Sequence, residues 1–183
     1  MEPLLSGAEL LRAIRGDRVG DHPLARWACL LAGVHRAAML AREEAVVAPE
    51  NGGERGSLVH AIDVWTEQQV PQHHQGVALH TETLGSVIDR IADAQVHADA
   101  MLMTCTNAGD PRVHAAWFRL AELVDGYNDL AAQVVDGVRR LPVPAGRAGD
   151  RAASRMHAAG QRFVAGGVPR PAQGRQPDPD RGW

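Results

Sequence analysis

The 183-residue sequence contains no lysine, only two cysteines and few aromatic side chains, and it has no long hydrophobic run. Its longest apolar stretch, residues 27–34, spans eight residues, whereas a membrane-spanning helix needs about 20. Two cysteines are too few for a disulfide framework or a zinc cluster. No charged-then-apolar leader opens the sequence, so we expect a cytoplasmic protein with no membrane partner.

All 19 basic residues are arginine, and they are unevenly distributed. Residues 1–141 hold 12 arginines and 19 acidic residues, a net charge of −7, whereas residues 142–183 hold 7 arginines and 3 aspartates, a net charge of +4. The acidic first part argues against nucleic acid as a partner of the core. An alternative role for the basic end is a weak contact with an anionic partner.

Apolar residues recur at helical spacing in five segments, and no alternating strand pattern competes with them. A capping box at Ser6–Glu9 predicts a short helix that ends near Gly16. Four longer helices are expected over residues 23–47, 58–70, 81–106 and 111–141, with loops over 48–56 and 71–80. The sequence therefore predicts an all-α fold over residues 1–144, an antiparallel bundle of four main helices plus a short N-terminal helix.

The C-terminal end, residues 145–183, is rich in Pro, Gly, Ala and Arg. A weak helix over 151–164 has some apolar support from Met156, Phe163 and Val164. The segment holds too few large apolar side chains to offset the entropy of ordering it. We expect a mostly disordered C-terminal tail.

Polar residues inside the apolar stripes are candidates for a site, because burying an unpaired polar group costs free energy. His35 and Arg42 lie in the stripe of the second helix, and Gln95 lies in the stripe of the fourth. One interpretation is a small polar pocket between helices. The alternative is a hydrogen-bonded core histidine and an arginine that extends its head group into solvent.

Asp89, Asp93 and His97 follow one another at four-residue steps on the fourth helix. Asp93 and His97 could hold one divalent ion, but their face lies opposite the main apolar stripe. We therefore expect the whole face to be solvated. No Glu-x-x-His pair of the di-iron type is present, and we predict neither a metal nor a cofactor.

The segment His80–Thr83 stands at the predicted start of the fourth helix. It has a capping interpretation, in which Thr81 accepts a backbone N–H and Glu82 complements the positive helix end. It also has a site interpretation, in which the helix start attracts an anion, His80 exchanges a proton and Glu82 holds the imidazole in one tautomer.

Two blocks of sequence resemble a known family. Residues 79–92, LHTETLGSVIDRIA, and residues 110–142, with HAAWFRLAELVDGYNDL followed by RRLP, are similar to the bacterial domain-of-unknown-function (DUF) 4254 family, especially its actinobacterial members. The earlier segment 35–44 lacks the Asn and the Leu-Trp pair usual in that family, and a further family helix is expected to be shortened to the loop 48–57. The resemblance implies a helical bundle with a polar patch around His80 and Glu82, and it implies no reaction.

These observations favour a binding or assembly protein, with a homo-oligomer among its expected partners. We hypothesise that His80, Glu82, His35, Arg42 and Gln95 line one inter-helix pocket for an anionic small molecule. The alternative is a small cofactor-independent enzyme that uses His/Glu acid–base chemistry at the same pocket. No catalytic residue is identifiable from the sequence.

Overall fold

The computed structural model describes residues 4–17, 19–43, 52–70, 76–105, 107 and 109–142. Within these residues the chain forms five helices and one short pair of strands. In chain order they are α1 (Gly7–Arg15), α2 (Pro23–Glu43), α3 (Gly52–Gln69), β1 (Ala78–Leu79), α4 (Leu84–Thr104), α5 (Pro111–Val135) and β2 (Arg139–Arg140). The predicted all-α class is confirmed. The predicted end of the second helix near residue 47 and the predicted tail, residues 145–183, lie outside the described residues.

The fourth helix, α4, lies at the centre of the packing and contacts each of the other four helices. Its apolar side chains join those of α1, α2, α3 and α5 in one core cluster. The fully buried members with the largest side chains are Leu10, Ile14, Leu24, Leu31, Ile62, Leu84, Ile88, Ile91, Val134 and Tyr127. Because α4 is covered on several sides, polar residues outside its main stripe are also buried. Among the described residues, no helix is both long and apolar enough to cross a membrane.

The short helix α1 begins and ends as its sequence predicts. The Ser6 side chain accepts from the backbone N–H of Glu9, and the Glu9 carboxylate accepts from the backbone N–H of Ser6. Gly16 then adopts a positive φ of 94° and ends the helix, a conformation that glycine reaches without steric cost.

Helix α1 docks on α5 through two long-range hydrogen bonds. The Tyr127 hydroxyl donates to the Leu5 carbonyl at 2.8 Å, and the backbone N–H of Gly7 donates to Asn128 Oδ1 at 2.8 Å. A Cβ at Gly7 would lie 2.6 Å from Val124 Cγ1, so the close approach of the two helices requires glycine there. The N-terminal helix is thus an integral part of the core.

Helix α3 begins at Gly52, so the predicted loop over residues 52–56 is wrong. The prediction followed the glycine content of this segment, which disfavours a helix by local propensity. Tertiary contacts override that propensity, because Arg55 in the first turns of α3 pairs with the buried Asp89 of α4. The expected shortening of a family helix to a loop over 48–57 is wrong for residues 52–57, which are helical, and residues 48–51 lie outside the described residues.

Helix α4 begins at Leu84, and its N-cap is Thr83 rather than the predicted Thr81. Thr83 Oγ1 accepts from the backbone N–H of Ser86 at 3.2 Å. The Asp63 carboxylate, reaching over from α3, accepts from the backbone N–H of Gly85 at 2.7 Å. Asp63 satisfies a backbone donor that would otherwise be unpaired at the helix start, a long-range contact that no local signal predicts.

Helix α5 begins as predicted, with Asp110 as its N-cap and Pro111 in its first turn. It ends at Val135, and the prediction that it continues to residue 141 is wrong. Gly137 has a positive φ of 76° and turns the chain. Strand β2 then pairs in parallel with β1, with Ala78 opposite Arg139. This pairing corrects three expectations. The chain was expected to have no strands, residues 78–79 were expected to form a loop, and residues 139–140 were expected to be helical.

Candidate ligand-binding site between α2, α3 and α4

A buried carboxylate on α4 holds side chains from two other helices. The Asp89 side chain is only 3% exposed. Its Oδ1 lies 2.9 Å from His35 Nε2 of α2 and 2.9 Å from Arg55 Nε of α3. Arg55 Nη2 makes a further contact with Asp89 Oδ2. Asp89 therefore ties α2 and α3 to α4, and the expectation that it lies on a solvated face is wrong.

The environment of Asp89 favours its ionised form. Burial by itself raises the pKa of this carboxyl, but the hydrogen bonds from His35 and Arg55 and the positive charge of Arg55 outweigh that effect and lower the pKa to about 2. The partner group responds in the opposite sense, because the hydrogen bond to Asp89 raises the pKa of Arg55. The pair is charged at neutral pH, as a buried carboxylate with two hydrogen-bond donors should be.

His35 lies between two carboxylates. Its Nε2 contacts Asp89, and its Nδ1 lies 3.3 Å from Asp93 Oδ1. The neutral ring can donate to one carboxylate only, whereas the imidazolium donates to both. Asp93 is 68% exposed and His97 is exposed, so for these two residues the expectation of a solvated face is confirmed.

A surface cavity of about 420 Å³ opens beside this cluster. It is lined by Val34, His35, Ala38, Arg42, Arg55, Asp89, Arg90 and Asp93. His35 and Arg42 thus line one cavity, as the sequence hypothesis requires. His80, Glu82 and Gln95 are not among the described residues that line it.

Arg90 connects the cavity to Glu82. Arg90 Nη1 donates to Glu82 Oε1 at 3.0 Å, and the Arg90 side chain is 48% exposed. The other carboxylate oxygen of Glu82, Oε2, is buried and has no hydrogen-bond partner among the described residues. Glu82 therefore sits behind Arg90, and its carboxylate holds this guanidinium rather than the ring of His80.

His80 contacts backbone groups of Glu82 and Arg140. Its Nδ1 lies 2.9 Å from the Glu82 carbonyl oxygen and 3.2 Å from the Glu82 backbone nitrogen. Its own backbone N–H donates to the Arg140 carbonyl at 2.9 Å. These contacts fix the turn between β1 and α4. A ligand-binding role for His80 stays a prediction.

Gln95 is fully buried and interacts with different partners from His35. Arg15 Nη2 donates to Gln95 Oε1 at 3.3 Å, and Gln95 Nε2 donates to Asp99 Oδ1 at 2.8 Å. The Arg15 guanidinium also lies over the Trp117 ring, 5.8 Å from its centroid. These contacts join α4 to α1 and α5, and a ligand-binding role for Gln95 stays a prediction.

Three members of the cluster were missed from the sequence: Asp89, Arg55 and Arg90. Asp89 was assigned to the solvated face, and Arg55 lay in a segment predicted as a loop. Two signals pointed to this part of α4, the four-residue step from Asp89 to Asp93 and the family resemblance over residues 79–92. Within the described residues, no group of three or more His, Cys, Asp or Glu side chains is arranged to hold a metal ion.

A protein-family model matches the part of the chain that contributes Arg55, Asp89 and Arg90 to the cavity. The model of a family described as "Protein of unknown function (DUF4254)" matches residues 50–143, more than half of the chain. The chain belongs to the DUF4254 family. No curated protein matches the chain, and no solved structure does. The DUF4254 match includes Arg55, Asp89 and Arg90, whereas His35 and Arg42 precede it.

Proposed function

We propose that this DUF4254 protein binds a small anionic molecule in the cavity between α2, α3 and α4. The proposal is supported by where the charges lie. Arg55 pairs with the Asp89 carboxylate, which is 3% exposed, and Arg90 pairs with the Glu82 carboxylate, which is 35% exposed, whereas the side chains of both arginines remain about half exposed. The less exposed carboxylates thus hold the more exposed cations in fixed positions, and that arrangement lowers the entropic cost of binding an anion.

Arg42 adds a third cation to the rim of the cavity. Its side chain is exposed and has no hydrogen-bond or ion-pair partner among the described residues. Asp93 is the one exposed carboxylate among the residues that line the cavity, and it faces His35. The residues that line the cavity include three arginines and two aspartates, Asp89 and Asp93, a formal balance of +1 that favours an anion over a cation as the ligand. Planar guanidinium groups bind carboxylate and phosphate groups through paired hydrogen bonds.

The experiment is a calorimetric titration of the protein with inorganic phosphate. We expect Arg42→Gln to weaken binding about tenfold, because a hydrogen bond to a charged group contributes roughly 1.5–3 kcal/mol. Arg119→Gln is the matched control, since Arg119 is an exposed arginine on α5 that does not line this cavity. An equal loss in both variants, or no binding by the unmodified protein, contradicts the proposal.

A second candidate function is acid–base catalysis at the same cavity. The observation that favours it is the position of His35, which lines the cavity with its ring 12% exposed between Asp89 and Asp93. A histidine oriented by a carboxylate is a common general base. Of the His and Glu residues expected to carry this chemistry, this candidate keeps His35, since His80 and Glu82 are not among the described residues that line the cavity. Once a ligand is known, His35→Gln should abolish its turnover and leave binding of the unreactive product within about threefold.

The proposed framework of the site is an antiparallel bundle of the four longer helices. The short connection between α4 and α5, residues 105–110, supports this arrangement because a tight turn places consecutive helices side by side in opposite directions. Self-association stays a prediction, and sedimentation equilibrium of the purified protein tests it.

A further inference from the structure

A second cavity, of about 370 Å³, adjoins the first. It is lined by Arg55, Gly56, Val59, Ser86, Asp89 and Arg90. Arg55, Asp89 and Arg90 line both cavities. These three side chains therefore form a shared wall between two spaces that open side by side along α3 and α4.

The shared wall offers hydrogen-bond donors to both cavities. Each guanidinium carries five N–H donors. Arg55 uses Nε and Nη2 on Asp89, and Arg90 uses Nη1 on Glu82, so each keeps several N–H groups for a ligand. The acceptors of Asp89, in contrast, are already engaged by His35 and Arg55.

Each cavity also has a donor of its own. The first has Arg42, whereas the second has the hydroxyl of Ser86. Ser86 Oγ lies 3.0 Å from Thr83 Oγ1, and a serine hydroxyl can donate as well as accept a hydrogen bond. One side of the wall therefore presents a full positive charge, and the other presents a neutral hydroxyl donor beside the same two arginines.

Resting on the proposed function, we infer that the natural ligand is a small molecule with two anionic groups, one in each cavity, joined across the wall formed by Arg55 and Arg90. Because the donors form two sets that share this wall, a single anion can use only one set. A short diacid uses both, and its second group binds at the high effective concentration that the linker provides.

A chain-length series of carboxylates tests this inference, with acetate, malonate, succinate, glutarate and adipate titrated by calorimetry. We expect one of the dicarboxylates to bind about tenfold or more tightly than acetate. Gly56→Leu should remove that preference, because a Cβ at Gly56 meets nothing within 4 Å and the added side chain then occupies the second cavity without disturbing the core. Acetate binding should stay unchanged in this variant.

Ser86→Ala is the second variant and should weaken the preferred dicarboxylate several-fold while leaving acetate affinity unchanged. Arg119→Gln again serves as the control for charge. If acetate and every dicarboxylate bind equally and all depend on Arg42, the two-group inference is wrong and the proposed anion site stands. If no carboxylate and no phosphate binds at millimolar concentration, both are wrong.

Discussion

Arg55 on α3 contacts Asp89 on α4 in a side-on pair, with Arg55 Nε 2.9 Å from Asp89 Oδ1 and 3.0 Å from Oδ2. The carboxylate is buried and the guanidinium is half exposed. The pair anchors the glycine-rich start of α3 and belongs to the wall that the two cavities share. Both residues lie within the part of the chain that matches the DUF4254 family.

The first prediction concerns Asp89 and pH. Its pKa is lowered from 3.8 to about 2 in the folded protein, so the ionised carboxylate stabilises the fold by about 2 kcal/mol at neutral pH. Because the folded pKa is below the unfolded one, this contribution is complete above about pH 4 and is lost as the pH falls towards 2. Urea denaturation should show Asp89→Asn to be less stable by about that amount at pH 7, with a difference that shrinks between pH 4 and 2.

Asp129→Asn is the control, since Asp129 is exposed on α5. Its unfolding free energy should follow that of the unmodified protein within about 0.5 kcal/mol at every pH. A difference between Asp89→Asn and the unmodified protein that is the same at pH 7 and pH 2 would show that packing, rather than charge, accounts for the effect.

Local signals in the sequence predicted the helices and several of their ends. The capping box of Ser6 and Glu9, Gly16 at the end of α1, and Asp110 with Pro111 at the start of α5 all act within a few residues of their own position. Helix ends that depend on distant residues were not predictable. The start of α3 is held by Asp89, and the segment after α5 pairs with β1. Both of these partners lie more than 30 residues away in the sequence.

The candidate site was predictable only in part, and for the same reason. His35 and Arg42 stood out because a polar residue in an apolar stripe violates helix periodicity. Asp89 did not, because periodicity assumes that a helix has one buried face and one solvated face. A central helix such as α4 has neighbours on several sides, so the carboxylate predicted to be solvated is the most buried charge of the site.

The second prediction tests the close approach of α3 to the start of α4. A Cβ at Gly85 would lie 2.7 Å from Asp63 Oδ1 and would also clash with the Val59 backbone carbonyl. Gly85→Ala should therefore destabilise the protein by about 1–3 kcal/mol. Gly126→Ala is the matched control on α5, where a Cβ meets nothing within 4 Å, and it should stabilise by about 0.5–1 kcal/mol. Thermal melts of the two variants that shift in the same direction contradict this packing.

The third prediction concerns Tyr127, the one tyrosine of the sequence. It is fully buried, and its hydroxyl donates to the Leu5 carbonyl at 2.8 Å. Tyr127→Phe removes this donor and leaves a buried acceptor unpaired, so we expect a loss of about 1–2 kcal/mol in urea denaturation. A loss below about 0.3 kcal/mol would mean that the Leu5 carbonyl has another partner.

Alkaline titration gives a second readout for Tyr127. Burial raises the pKa of this phenol, so the stability that its neutral form contributes is complete below the unfolded pKa of about 10 and decreases as the pH rises above it. The absorbance change of tyrosinate at high pH should therefore coincide with the loss of helical circular dichroism. Ionisation near pH 10 in the folded protein would show that the ring is accessible to solvent.

The last prediction separates the contribution of strand β2 to stability from that of residues 145–183. Strand β2 pairs with β1, and the Arg140 carbonyl accepts from the backbone N–H of His80, so β2 helps to fix the segment that leads into α4. Residues 145–183 hold few large apolar side chains and should contribute little to stability. Truncation after residue 144 should leave the melting temperature within about 2 °C of the full chain, because a loss of unfolding free energy below about 0.5 kcal/mol shifts it by no more than that.

Truncation after residue 137 removes β2 as well and exposes the backbone groups of β1. It should lower the melting temperature by several degrees, which corresponds to a loss of about 1 kcal/mol or more in unfolding free energy. Equal melting temperatures for the two truncated proteins would show that the strand pair does not stabilise the helical core, and a large loss on truncation after residue 144 would show that the tail does.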